Sequence, residues 1–153
     1  MKKKSLLMTG VLLSISLLMV AFISPIGGEG YEIYIDNKLV IQQFGQQMKQ
    51  VKNLQFNSSQ KESELSVKFF HCGMAGKSRT LELRTPDKQV LKQWQFENEE
   101  AKNFAITVPV KEILDLQKKS GAGTLHLFYS SKEAPDGRLL AGIVMSDKSV
   151  AAK

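Results

Sequence analysis

From Tyr31 to about Met145 the chain alternates apolar and polar residues with a period of two, the pattern of strands that bury one face. Tyr31, Ile33 and Ile35 share a face, while Glu32, Tyr34 and Asp36 take the other. Asp36-Asn37 is turn chemistry and Leu39 to Phe44 follows at once, which predicts a hairpin or a bent first strand. The stretch from Gln46 to Lys61 is polar, with a weak strand around Leu54 to Phe56. Leu65, Val67 and Phe69 then point one way and Ser66 and Lys68 the other; Leu81 and Leu83 repeat the pattern against Glu82 and Arg84. Pro86-Asp87-Lys88 reads as a tight turn, because proline presets one backbone angle and aspartate bonds the chain ahead. Beyond it, Trp94 and Phe96 are expected core anchors, followed by a strand through Phe104, Ile106 and Val108. Leu125, Leu127 and Tyr129 share the face of the penultimate strand, and Pro135-Asp136-Gly137 turns the chain into the last one.

One segment leaves the period of two. After Pro109, the residues Val110, Ile113, Leu114 and Gln117 fall at helical spacing, and Lys118-Lys119-Ser120-Gly121 supplies basic residues and a glycine stop. Proline suits the first helical position, where its missing N–H would be unpaired anyway. About seven to nine short strands with one short helix before the penultimate strand predict an all-β, two-sheet sandwich of immunoglobulin-like topology. The helix would cross from one sheet to the other. A closed barrel of similar strand count is the alternative.

Upstream of this domain, Lys2, Lys3 and Lys4 precede an uncharged apolar run of 18 residues from Leu6 to Ile23. A basic segment before an apolar run marks an export signal or a single membrane anchor, and a spanning helix needs roughly 17 to 25 residues, so both outcomes fit. Ile26 and Gly28 suit the third and last positions before a cut, which would leave Glu29 as the new N-terminus. The expected organisation is a signal or anchor over 1–28, a sandwich over 31–147 and a flexible tail over 148–153. The lysine-only start has a bacterial character and places the sandwich in the periplasm or cell envelope.

The leader also changes the charge argument. Of 21 basic residues three are leader lysines, so 18 face 15 acidic ones and the exported part carries +3. Lys118-Lys119 is its only adjacent basic pair, which argues against nucleic acid as a partner. Cys72 is the sole cysteine, so a domain of about 120 residues must hold together through its core rather than a disulfide.

Tyr31 to Gln43, Ser63 to Gly73, Leu91 to Asn98 and Ser130 to Ile143 resemble the strings of small exported β-sandwich proteins of unknown function from Bacteroidetes-type bacteria. The resemblance covers nearly the whole exported domain and implies a compartment and a fold. It brings no catalytic residues.

Several groups invite a chemical reading. Gly73 to Ser78 ends like a phosphate-binding loop, but His71 stands where that motif needs its first glycine, and a strand rather than a helix follows. His71 and Cys72 are neighbours on a strand and point to opposite faces, which disfavours a nucleophile–base pair; a partly buried histidine and a small packed thiol are expected. His71, Cys72, Met74 and His126 together form the ligand inventory of a copper site, yet the spacing puts the two histidines at opposite ends of a sandwich. Glu97, Glu99 and Glu100, with Asn98 and Asn103, read as a solvated loop, with a weak calcium site as the alternative. Gln42, Gln43, Gln46, Gln47 and Gln50 read as a solvated connector.

No catalytic, cofactor or metal residues are assigned. The expected function is non-enzymatic binding of an envelope protein or an extracellular ligand, through the irregular segments Gln46 to Lys61 and Ser130 to Arg138. The alternatives are a metal or redox protein built on His71, Cys72, Met74 and His126, and a hydrolase with a site not visible in the sequence.

Overall fold

The computed structural model describes residues 28–97 and 104–146. The expected leader, the tail, and Asn98, Glu99, Glu100 and Asn103 of the acidic loop lie outside these residues. Nine strands and one helix run in the order β1 (Gly30–Ile35), β2 (Lys38–Phe44), β3 (Lys52–Phe56), β4 (Glu64–Phe70), β5 (Arg79–Arg84), β6 (Val90–Phe96), β7 (Ile106–Pro109), α1 (Val110–Ser120), β8 (Thr124–Ser130) and β9 (Arg138–Met145). They form two sheets, β2-β1-β4-β7 and β3-β9-β8-β5-β6. The inward faces of both contribute to one buried cluster, so the molecule is a β-sandwich rather than a closed barrel. No helix of the described residues is long and apolar enough to cross a membrane.

The period-two faces are the ones observed. Tyr31, Ile33, Leu65, Val67 and Phe69 from one sheet meet Leu81, Leu83, Leu125, Leu127 and Tyr129 from the other, all buried. Each such side chain contributes about 1.5–3 kcal/mol by leaving water. Asp36 and Asn37 turn β1 into β2 with φ of 49° and 64°, the left-handed pair that a two-residue hairpin requires. α1 begins after Pro109, which caps the helix while still ending β7, one position earlier than expected. Its buried stripe is Val110, Ile113, Leu114 and Gln117, and Gly121 stops it at φ 67° with its N–H on the Gln117 carbonyl.

The weak strand expected around Leu54 to Phe56 is present and longer: β3 pairs in parallel with β9 from Lys52–Ala141 to Phe56–Met145 and buries Leu54 and Phe56. Two other expectations need correction. Gln43, read as solvated, is 1% exposed. It lies directly opposite Tyr31, so strand parity overrides its polarity, and it accepts from the Tyr31 hydroxyl while donating to the Gln50 carbonyl at 2.8 Å. Trp94 and Phe96 face inward but are only partly buried, because β6 is the edge of its sheet. Trp94 Nε1 instead donates to Glu112 on α1 at 3.0 Å and ties the helix to that edge.

Candidate functional site at the His71 end of the sandwich

The parity of β4 carries His71 to the inward face just beyond Phe69, and the parity of β8 carries Tyr129 and then Ser131 to meet it. Phe69 stacks on Tyr129 with ring centroids 4.3 Å apart and interplanar angle 6°, and His71 lies 4.8 Å from Phe69. His71 Nε2 is 3.0 Å from Ser131 Oγ and 3.2 Å from Tyr129 Oη. Gly76 passes beneath all three. A Cβ there would stand 2.5 Å from Tyr129 Oη and 2.8 Å from His71 Nε2, so only glycine leaves the cluster intact.

The loop 131–134 is clamped to the segment before β5. Lys132 N–H donates to the Lys77 carbonyl at 2.8 Å, and Lys77 N–H donates to Glu133 Oε2 at 2.8 Å. Arg79 closes the same end from β5. It is 2% exposed, and its Nη1 and Nη2 donate to the Phe104 and Glu97 carbonyls at 2.6 and 3.0 Å. Its Nε has no hydrogen-bond partner among the described residues. Arg79 also lines a cleft of about 560 Å3 with Thr80, Gln95, Phe96 and Glu97.

Burial pushes the Tyr129 hydroxyl up to about 12, so it stays protonated. Desolvation raises the Glu133 carboxyl, but the Lys77 N–H, its own backbone N–H, the Ser131 hydroxyl and the nearby His71 together hold it below the ordinary carboxylate value. Which of Ser131, Tyr129 and His71 Nε2 donates to which depends on the His71 tautomer. Ser131 is only 5% exposed. The arrangement is a hydrogen-bonded plug between the sheets.

Burial holds His71 below its ordinary value of 6.5, against the pull of Glu133 and Glu29 and with the help of Arg138. Near pH 6 the unfolded chain thus binds more protons at this ring than the folded one. Stability from His71 is full above 6.5 and is lost as pH falls toward the lower folded value. Urea midpoints should therefore fall from about pH 7.5 to about pH 5.5, and His71→Gln should flatten that slope. Glu133 and Asp36, also lowered, act in the same direction only in the more acidic carboxylate range.

The expected packed thiol is overturned. Cys72 is exposed and, with Gly73, forms a two-residue turn at φ 52° and 85°, closed by His71 N–H to the Met74 carbonyl at 2.8 Å. Iodoacetamide should label Cys72 in the native protein about as fast as in urea, read by mass spectrometry.

The phosphate-loop likeness is confirmed as a connection between strands, Gly73 to Ser78 linking β4 to β5 across the two sheets. The histidines are far apart along β8: His126 pairs with Arg84 at one end, whereas His71 meets Ser131 beyond the other. The described residues contain no group of three or more His, Cys, Asp and Glu side chains placed to hold a metal ion. The sequence reading gave no individual role to Arg79, Gly76, Ser131 or Glu133, although it placed Gly76 in the Gly73 to Ser78 connection and the last two in the expected binding segment Ser130 to Arg138. A legible signal existed for two of them, since Arg79 continues the inward parity of Leu81 and Leu83, and Ser131 that of Leu127 and Tyr129.

No protein-family model matches the chain, and no curated protein sequence matches it. Among solved structures, the extracellular domain of a protein described as a one-component system from B. thetaiotaomicron is similar at 14% identity and a TM-score of 0.34. The match covers 82% of this chain and 16% of that one, and a likeness at this level establishes no shared function.

Proposed function

We propose that the protein is an exported, non-enzymatic, immunoglobulin-like sandwich of the cell envelope that works by pairing an edge strand with a protein partner. The leader, Lys2 to Ile23, supports the compartment. The topology supports the fold name: β1, β4 and β7 take the places of strands A, B and E, and β5, β6, β8 and β9 those of C, C′, F and G.

One observation carries the binding mode. β2 is the outer strand of its sheet, and it leaves Leu39, Val40 and Phe44 exposed, with Val51 exposed nearby. Val40 is the extra residue of a bulge, between the pairs Ile33–Ile41 and Tyr34–Leu39. Soluble sandwiches normally blunt such an edge with charge, proline or a bulge. Here the bulge sits at Val40, and the apolar residues on either side, left open by the described residues, give an incoming strand its template. Envelope extracts captured on the wild-type protein and on Val40→Lys test the reading. A partner retained by wild type and lost by Val40→Lys is expected. Repeated captures with no partner, or equal retention by both proteins, would remove its support.

A further inference from the structure

Away from the β2 edge, α1, the turn at 58–61 and the end of β9 enclose a cleft of about 460 Å3. Leu114, Ala122 and Met145 give it apolar wall, and Lys61, Asp115 and Lys118 give it charge. Gln117 lines it as well and is the anomaly. It is a polar residue in the apolar stripe of α1, 3% exposed. Its Nε2 donates to the Gly123 and Ile143 carbonyls at 3.2 and 3.4 Å, which fixes the amide, because turning it would set oxygen against two carbonyl oxygens. Oε1 is then left without a partner among the described residues. Buried acceptors are seldom left unpaired in native proteins unless something completes them.

We infer that this cleft binds an α-amino carboxylate with an apolar side chain, either free or at the end of a peptide. The ligand N–H is given to Gln117 Oε1, a buried side-chain acceptor with no partner among the described residues. The side chain lies on Leu114, Ala122 and Met145, and the carboxylate between Lys61 and Lys118. Asp115 and the carbonyl end of α1 form a negative pole on which a free ammonium settles. An acylated or peptide nitrogen uses Gln117 without that charge. The cleft volume falls within the range of small-molecule sites, about 300–1,000 Å3, and admits a ligand of one or two residues.

Titration calorimetry of the full chain with leucine, N-acetyl-leucine and the tripeptide Gly-Gly-Leu tests this. At least one should bind saturably, with leucine methyl ester, which lacks the carboxylate charge, at least about tenfold weaker than leucine if leucine binds. Gln117→Met and the double variant Lys61→Ala/Lys118→Ala should each weaken binding by about tenfold or more, with circular dichroism unchanged. Because the lysines are exposed, the double variant decides the matter even if Gln117→Met does not fold. Preference for leucine assigns the free amino acid, and preference for the other two assigns a peptide end. No saturable binding of any of the three, or undiminished binding by the folded double variant, overturns the proposal. Neither result touches the strand pairing at β2, which is read in a different experiment.

Discussion

Phe69→Ala should destabilise the protein by about 3–5 kcal/mol, a large share of what holds most single domains folded. Phe69 is buried between Tyr31, at 6.3 Å and interplanar angle 10°, and Tyr129, at 4.3 Å. It therefore joins β1, β4 and β8 across both sheets. Removing the ring forfeits its transfer from water and leaves a void bounded by stiff strands that cannot collapse into it. A second loss follows at the same place. The Tyr31 hydroxyl is held by Gln43 and the Leu140 carbonyl, and Tyr129 by the His71 cluster, so neither ring can swing into the space without breaking polar contacts. A urea titration followed by Trp94 fluorescence reads the change as a fall in midpoint at constant slope. Phe69→Leu should lose less, because it keeps most of the volume. A change within about 1 kcal/mol for Phe69→Ala would mean that the rings do not join the sheets as described.

Gly76→Ala should cost about 1–3 kcal/mol, the usual range for forcing a group into a filled interior. The added methyl meets Tyr129 Oη at 2.5 Å, His71 Nε2 at 2.8 Å and Ser131 Cβ at 2.9 Å. None of the three can simply step aside: Tyr129 is stacked on Phe69, His71 adjoins the same ring, and Ser131 is pinned by the Ala134 N–H at 3.2 Å. The substitution should also open the cluster to water, so the His71 ring should titrate nearer its ordinary 6.5 when followed by proton NMR. Gly73→Ala is the natural control for space. Nothing lies within 4 Å of its would-be Cβ, and its cost arises only from the left-handed backbone at φ 85°. If Gly76→Ala leaves both the midpoint and the His71 titration unmoved, the plug is looser than its distances imply.

The parts of this molecule that were legible beforehand are those where one side-chain period governs. Tyr31 to Ile35, Leu65 to Phe69 and Leu125 to Tyr129 alternate without interruption, and α1 shows its stripe and its glycine stop, so the sandwich and its crossover helix follow from pattern alone. β3 was half hidden because an edge strand buries only Leu54 and Phe56 amid polar neighbours. Gln43, Arg79 and Ser131 escaped for a common reason: each is a polar side chain at an inward position, and polarity was allowed to outvote parity. For Arg79 and Ser131 the partners also come from far along the chain, the Phe104 carbonyl and His71, and no local window contains both. Cys72 was misplaced because the strand ended two residues sooner than its alternation implied.

The position of β9 within its sheet has a consequence for biogenesis. It lies between β3 and β8, and through β3 it holds a segment made some ninety residues earlier. Until Met145 has left the ribosome, β3 has no neighbour, the inner face of β8 is open on one side, and the five-stranded layer cannot close. Such long-range pairing folds slowly and late in synthesis. A nascent chain of this design can complete its larger layer only at the end of its translation, and becomes rigid only after the decisive strand has emerged.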